Sequence, residues 1–365
     1  MTSLEALLDE GRRLGVYSHA RAVVRLKGQT VFDGGPAAPA ARFDLASVTK
    51  VMATTALLLR LVRDGALSLD QPLRRWLPRC AADVSLVDLA LHRAGLPAWR
   101  PFFADVTRSE PFLYDTPRRP EPSLRAAVRA RVLERVEGEP PERSVGAAAV
   151  YSDLGFILLG AVVEQVCGLP LDSAFDALVA APLGLDAGFR RVSTAMPDAS
   201  VVDTGGTRPR APAPGQEGLW SCPVFPSLPG EVDDDNAWVM DGVAGHAGLF
   251  GTAPAVAAFG QAVLDGWLLA PAGFAVDTST PASTRTIGFD TPSPEGASCG
   301  PRLGRAGPLG AIGHLGFTGT SLWIDFDRQL VVALLTNRVV FGRENVQIRA
   351  FRPRFHEAVL DTFGL

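Results

Sequence analysis

Ser47-Val48-Thr49-Lys50 places a hydroxyl and an amine three residues apart. On a helix this spacing puts both side chains on one face, a single turn apart and within contact range. A serine hydroxyl at its ordinary pKa is a weak nucleophile and needs an adjacent base. Lysine can supply that base when desolvated, because burial in an apolar helix lowers its pKa by up to about 3–5 pH units. The run from Ser47 to Arg63 is apolar, with Val48, Val51, Met52, Leu57, Leu58, Leu59, Leu61 and Val62. Lysine is also scarce. Of 35 lysine and arginine residues only Lys27 and Lys50 are lysine, and arginine does not give up its proton. Near the start of its helix, Ser47 also has backbone N–H groups and the positive end of the helix dipole for a developing oxyanion. The pattern predicts nucleophilic attack by Ser47 with Lys50 as its base.

Further segments accompany this pair in a definite order. They are Leu91-His92-Arg93-Ala94-Gly95-Leu96-Pro97, Tyr151-Ser152-Asp153, Gly248-Leu249-Phe250-Gly251-Thr252 and His314-Leu315-Gly316. Together with Ser47 to Lys50 the chain resembles the serine β-lactamase and penicillin-binding protein superfamily, in its class C and esterase-like branch. The resemblance covers nearly the whole length. Ser47 to Lys50 stands where that family carries Ser-x-x-Lys, and Tyr151-Ser152-Asp153 where it carries Tyr-x-Asn. His314-Leu315-Gly316 takes the place of Lys-Thr-Gly or His-x-Gly on an edge strand.

The resemblance implies that Ser47 forms an acyl-enzyme and that Lys50 and Tyr151 share the proton shuttling. It implies an oxyanion hole from the backbone N–H groups of Ser47 and Phe317, and substrate-binding roles for Asp153, His314 and Gly316. Two departures bear on the substrate. A carboxylate at Asp153 only accepts hydrogen bonds, and beside Lys50 it raises the pKa of the amine, which shifts weight to Tyr151 as base. His314 and Leu315 replace the lysine and threonine that help hold the carboxylate of a β-lactam, which argues against efficient antibiotic hydrolysis. The implied function is a metal-independent serine hydrolase of a small ester or amide: an esterase, a D-amino-acid peptidase or a weak β-lactamase. An acyltransferase shares the first half-reaction. A catalytically silent penicillin-binding sensor is the third reading, kept open by Asp153.

The elements that must hold these residues follow from periodicity. Residues 3–14 read as an amphipathic helix capped by Ser3 and closed by Gly15. Ala22–Leu26 and Thr30–Phe32 form a hairpin around Lys27-Gly28-Gln29, with Lys27 solvated at its tip. Residues 76–239 lose the strand period and show helical runs at 124–136 and 154–166. Ser321–Phe326 and Gln329–Leu335 make a second hairpin, and a last helix runs from about Glu344 to Thr362. The fold class expected is α/β (α+β), β-lactamase/transpeptidase-like: an antiparallel sheet flanked by helices, built from both termini (1–75 and 240–365), with an inserted all-helical domain (76–239). Two stretches of low periodicity, 205–230 and 271–310, are long enough to predict functional loops.

Composition bounds the rest. A chain of 365 residues that is 47% hydrophobic and 20% charged builds a full core, and a net charge of -4 offers no basic face to nucleic acid. The apolar run Thr54–Val62 is too short to span a membrane and is broken by Arg60. Without a positive start and an apolar stretch at the N-terminus, a cytoplasmic location is expected, with four reduced cysteines (Cys80, Cys167, Cys222, Cys299). No metal or cofactor is expected, since no C-x-x-C occurs and neither His246 nor His314 stands at ligand spacing. The partner expected is a small-molecule ester or amide, and no oligomeric state is predicted. Gly296-Ala297-Ser298-Cys299-Gly300 matches a nucleophile elbow, but its prolines (292, 294, 301, 308) do not fit strand-turn-helix. Asp233-Asp234-Asp235-Asn236 reads as a helix cap rather than a calcium loop. His92 reads as a partner for backbone groups. His246 is either structural or part of a site, and Trp220 and Phe225 either wall a pocket or cover the core.

Overall fold

The strand-forming runs at the two ends of the chain meet in one sheet. The computed structural model describes residues 3–109, 122–194, 198–210, 225–293 and 297–365. β1 (Ala20–Leu26), β2 (Gln29–Gly34), β3 (Ala311–Leu315), β4 (Ser321–Asp325) and β5 (Leu330–Thr336) form an antiparallel sheet in the order β2-β1-β5-β4-β3. β5 is buried along its whole length because both faces of the sheet are covered. Leu330, Val332 and Leu334 face α1 (Leu4–Arg13) and the C-terminal helix, whereas Val331, Ala333 and Leu335 face the opposite core. Each of these leucine and valine side chains contributes about 1.5–3 kcal/mol on burial.

Both hairpins and the first helix follow the sequence pattern. Ser3 accepts a hydrogen bond from the Ala6 N–H, and Gly15 turns left-handed at φ +73°. Ser47 precedes a helical segment whose Lys50–Thr55 portion is wound as a π-helix before α2 (Ala56–Arg63). The last helix corrects the expectation, since it begins at Ile348 and not near Glu344. Arg338 donates to the carbonyls of Arg343 and Asn345 and draws that stretch into a loop.

Residues 76–239 carry the helices Pro122–Glu137 and α3 (Asp153–Cys167). They are not all-helical, because strands occur at Ala187–Phe189, Thr207–Arg208 and Phe225–Pro226. Strands of two or three residues leave no period in the sequence. Ala187–Phe189 and Phe43–Asp44 flank Leu249–Gly251 in a small sheet, and one core joins α2, α3 and α4 (Ala253–Leu264). α3 can cross the 242–248 loop closely only because Gly160 and Gly245 face each other, where a Cβ on Gly160 would come 2.9 Å from the Gly245 Cα.

Candidate active site

Ser47 follows a constrained turn. Ala46 has φ +46°, a left-handed conformation that is costly for a residue with a side chain. The buried Asp44 carboxylate accepts the Ala46 N–H at 2.8 Å and the Asp233 N–H at 2.7 Å. Burial pushes the Asp44 carboxyl up to about 7. Beyond this turn the chain enters the helix, and Lys50 lies fully buried one turn after Ser47.

Beside the Tyr151 phenol, three acceptors stand around the Lys50 amine. They are Ser47 Oγ at 3.0 Å, the His246 carbonyl at 3.0 Å and the Asp153 carboxylate at 2.7 Å. Burial pulls its pKa down, but the charges of Asp153 and then Tyr151 outweigh burial, and the net direction is up. Lys50 is therefore not the depressed, free amine that its apolar helix alone predicts. Asp153 makes the difference, as a carboxylate in that position should.

Tyr151, Ser152 and Asp153 lie where a loop enters α3. The Ser152 hydroxyl caps the helix and donates to the Pro97 carbonyl at 2.7 Å. The Ser152 N–H donates to His92 Nδ1 at 3.0 Å, and the Asp153 N–H to the Ala98 carbonyl at 2.9 Å. His92 is thus the backbone partner that the sequence predicts. Its ring also packs at a tilt against the Tyr151 ring, with centroids 4.7 Å apart, a contact that the sequence does not reveal. The Lys50 amine stands 5.0 Å from the Tyr151 ring centroid. Burial raises the phenol pKa and hydrogen bonds to Lys50 and Ser47 lower it, leaving it above its ordinary value.

His314 is buried on β3, 5.8 Å from the Tyr151 ring. Its Nδ1 lies 2.8 Å from the Leu315 carbonyl, and a carbonyl only accepts, so Nδ1 carries the proton. Nε2 is then a bare acceptor with no partner among the described residues. Burial, and next Lys50, hold His314 down to about 3, so it is neutral at neutral pH. Gly316 ends the strand and Phe317 follows, its ring exposed. Among the described residues no acceptor is bonded to the Ser47 N–H or the Phe317 N–H.

A pocket of about 310 Å³ opens over Ser47, Tyr151, His314 and Phe317. The structure adds five charged residues that the sequence did not single out. Asp290 lines the pocket and pairs with Arg285, whose guanidinium lies 5.3 Å from the Tyr151 ring centroid. Both come from the long 271–310 stretch, and Asp290 exchanges backbone hydrogen bonds with Gly313 of β3. On the other wall stand Arg338, Arg349 and Arg352. Arg338 bonds the Phe317 carbonyl at 2.7 Å, and Arg352 the Gly316 and Thr320 carbonyls at 2.8 Å. Among the described residues none of the three forms an ion pair with a carboxylate. Burial and then neighbouring arginines hold Arg338 at about 10 and Arg352 at about 9, so both stay charged at neutral pH. The one advance signal was Arg352, a cation on the apolar face of the last helix.

The remaining expectations resolve as follows. Asp234 caps the helix Asp235–Val239 through the Ala237 N–H, as read from the acidic run. His246 gives its carbonyl to Lys50, and its Nε2 meets Asp234 at 2.9 Å. Cys299 of the elbow-like pattern is buried in a turn, with neither strand nor helix beside it among the described residues. Lys27 is exposed, and Cys80, Cys167 and Cys299 are free. Trp220, Cys222, Gly296 and the Phe225 side chain lie outside the described residues. No cluster of His, Cys, Asp and Glu with metal-binding geometry occurs among the described residues.

Comparison with known proteins gives the family of the chain. A family model described as Beta-lactamase matches residues 2–352. A protein of Escherichia coli (strain K12) named putative D-alanyl-D-alanine carboxypeptidase is 27% identical over 327 residues, covering 81% of this chain and 69% of its own length. The octameric penicillin-binding protein homologue from Pyrococcus abyssi has a similar structure, with TM-score 0.69 and 17% identity over 99% of this chain and 77% of that one. EstCE1, described as a hydrolase with promiscuous acyltransferase activity, has TM-score 0.64 and 22% identity over 96% and 97% of the two chains. Members of the matched family are generally serine hydrolases. By its sequence match and by its fold, the chain belongs to the beta-lactamase family.

Proposed function

We propose that the protein is a serine hydrolase that passes through an acyl-enzyme on Ser47 and acts on a small amide or ester carrying an anionic group. The observation that carries this reading is the fully buried Lys50 amine, 3.0 Å from Ser47 Oγ. Ser47 Oγ attacks the carbonyl carbon, and its proton passes to the Lys50–Tyr151 pair, which titrates as one unit. Asp153 keeps Lys50 cationic, so the pair's proton vacancy falls mainly on the Tyr151 phenol oxygen. The same pair returns the proton to the leaving group, then takes one from the water that releases the acyl group. The N–H groups of Ser47 and Phe317 hold the oxyanion. Arg338, Arg349 and Arg352 favour a substrate with a carboxylate, in keeping with a relative named as a carboxypeptidase, which by definition cleaves next to one.

The test is turnover of three chromogenic probes: an ester with a free carboxylate, its neutral counterpart, and a D-amino-acid amide. The carboxylate ester is expected to lead, and Ser47→Ala to lose at least about 10³-fold in kcat/KM. Equal rates in native protein and Ser47→Ala would remove the nucleophile. A second arm uses pH. Lys50 and Tyr151 are both raised, so kcat/KM is expected to climb from neutral into alkaline pH. Asp153→Asn removes the charge that raises Lys50 and moves that limb to lower pH. A limb that stays in place would take the Lys50–Tyr151 pair out of the rate.

A further inference from the structure

The two backbone donors proposed for the oxyanion lie on separate parts of the chain, one after β3 and one before the Lys50 helix. Such donors work only if both sit about 2.7–3.1 Å from the developing charge, so their separation has to be fixed. The segment Gly316-Phe317-Thr318-Gly319-Thr320 carries the hydroxyls that span the gap. Thr318 Oγ1 donates to the Asp44 carbonyl at 2.8 Å, and Thr320 Oγ1 to the Leu45 carbonyl at 3.2 Å. Both threonines are fully buried. Their own backbone is fixed from behind, where the Thr318 carbonyl accepts from Thr336 Oγ1 at 3.2 Å and the Arg338 N–H at 2.9 Å. The Thr320 carbonyl accepts from the Gly316 N–H and from Arg352, each at 2.8 Å. Gly316 is glycine for the same reason, because a Cβ there would strike the Thr320 hydroxyl and the Leu45 carbonyl. The Asp44 carboxylate completes the arrangement by holding the Ala46 N–H in the left-handed turn.

We propose that Thr318 and Thr320 are positioning residues that fix the distance between the Ser47 and Phe317 N–H groups by bonding the carbonyls of Asp44 and Leu45. This rests on the reading of Ser47 as nucleophile. Neither threonine lines the pocket over Ser47. Each hydroxyl bonds a carbonyl two or three residues ahead of Ser47, so its removal loosens one donor relative to the other while leaving the pocket wall in place. A site of this kind tolerates an error of only about 0.5 Å. The effect therefore falls on the transition state rather than on substrate binding.

The experiment compares native protein with Thr318→Val, Thr320→Val, Thr318→Ser and Thr320→Ser on a chromogenic ester and on its thiono counterpart, whose anion develops on sulphur. The valine variants are expected to lose about 10–100-fold in kcat with KM within about two-fold of native. Their preference for the oxygen ester over the thiono ester should shrink in parallel, and the serine variants should stay within about three-fold of native. Should a valine variant fold poorly, the alanine variant at that position supplies the same ester ratio. An unchanged ratio in the valine or alanine variants overturns the proposal, as does an equal loss in valine and serine variants. Ser47→Ala separates the two readings. If it keeps the activity, the nucleophile is wrong; if it is dead while the threonine variants behave as native, only the positioning role falls.

Discussion

Two pentapeptides of this chain read almost alike, Ala244-Gly245-His246-Ala247-Gly248 and Ile312-Gly313-His314-Leu315-Gly316. Both border the candidate site, yet the fold uses opposite halves of their histidines. His246 turns its carbonyl to Lys50 and its ring away to Asp234. His314 gives its ring to the pocket and leaves Nε2 bare. Local structure decides which half is used. The first pentapeptide lies in a loop where Gly242 and Gly248 have φ of +75° and +113°, so carbonyls can point inward. The second lies at the end of an edge strand, where alternation sends a side chain to the cleft face. The lesson is that a motif's residues do not say what they contribute; the backbone conformation that carries them does.

The contrast predicts separable losses. The largest is expected for Asp234→Ala, which strips the partner from a buried histidine and also removes a helix cap. Chemical denaturation should report about 2–4 kcal/mol lost, with kcat reduced because the Lys50 acceptor is no longer anchored. Native-like unfolding and turnover would mean that the Asp234 contact is idle. His314→Phe keeps a ring against Tyr151 and removes the bare Nε2 together with the Nδ1 bond to the Leu315 carbonyl, so kcat/KM should fall about ten-fold while stability falls by only about 1 kcal/mol. The reverse pattern, lower stability at full rate, would make the two histidines alike.

Another buried histidine sharpens the comparison. Among the described residues His356 has no partner on either ring nitrogen, and burial, then Arg352, hold it down to about 3. In the unfolded chain its pKa returns to the ordinary value near 6.5. Stability from this group is therefore present above about 6.5 and is lost as pH falls toward 3, by about 1 kcal/mol at pH 6. His356→Leu should flatten that part of the decline in melting temperature between pH 7 and pH 6. An equally steep decline in the variant would place the acid sensitivity elsewhere.

Much of the site was legible because its chemistry is local. Ser47 and Lys50 are one turn apart, and Tyr151 with Asp153 begins a helix whose apolar run is plain. Their gathering with His314 and Phe317 came from the family resemblance and not from periodicity. The arginine wall stayed hidden for a physical reason. With 33 arginines in the chain, Arg285, Arg338 and Arg349 carry no local mark, and each matters through contacts far away in sequence. His246 was visible but not assignable, since the atom that reaches Lys50 is a carbonyl that every residue has. In the fold, both hairpins could be read because β-branched and apolar runs stand on either side of a short turn, whereas the short strand Ala187–Phe189 has no such run and could not.

The wide winding over Lys50–Thr55 has a consequence for how this helix can change. It accommodates one residue more than an ordinary turn, so the two halves of the helix are aimed independently. The amine faces the cleft while Leu57, Leu58 and Leu61 keep to the core. Inserting a second extra residue, for which the already widened turn has no room, would swing one half against the other by about 100°. The protein would then have to give up either its oily anchor or its reactive amine, and so the length of this segment is as fixed as the identity of the residues it carries.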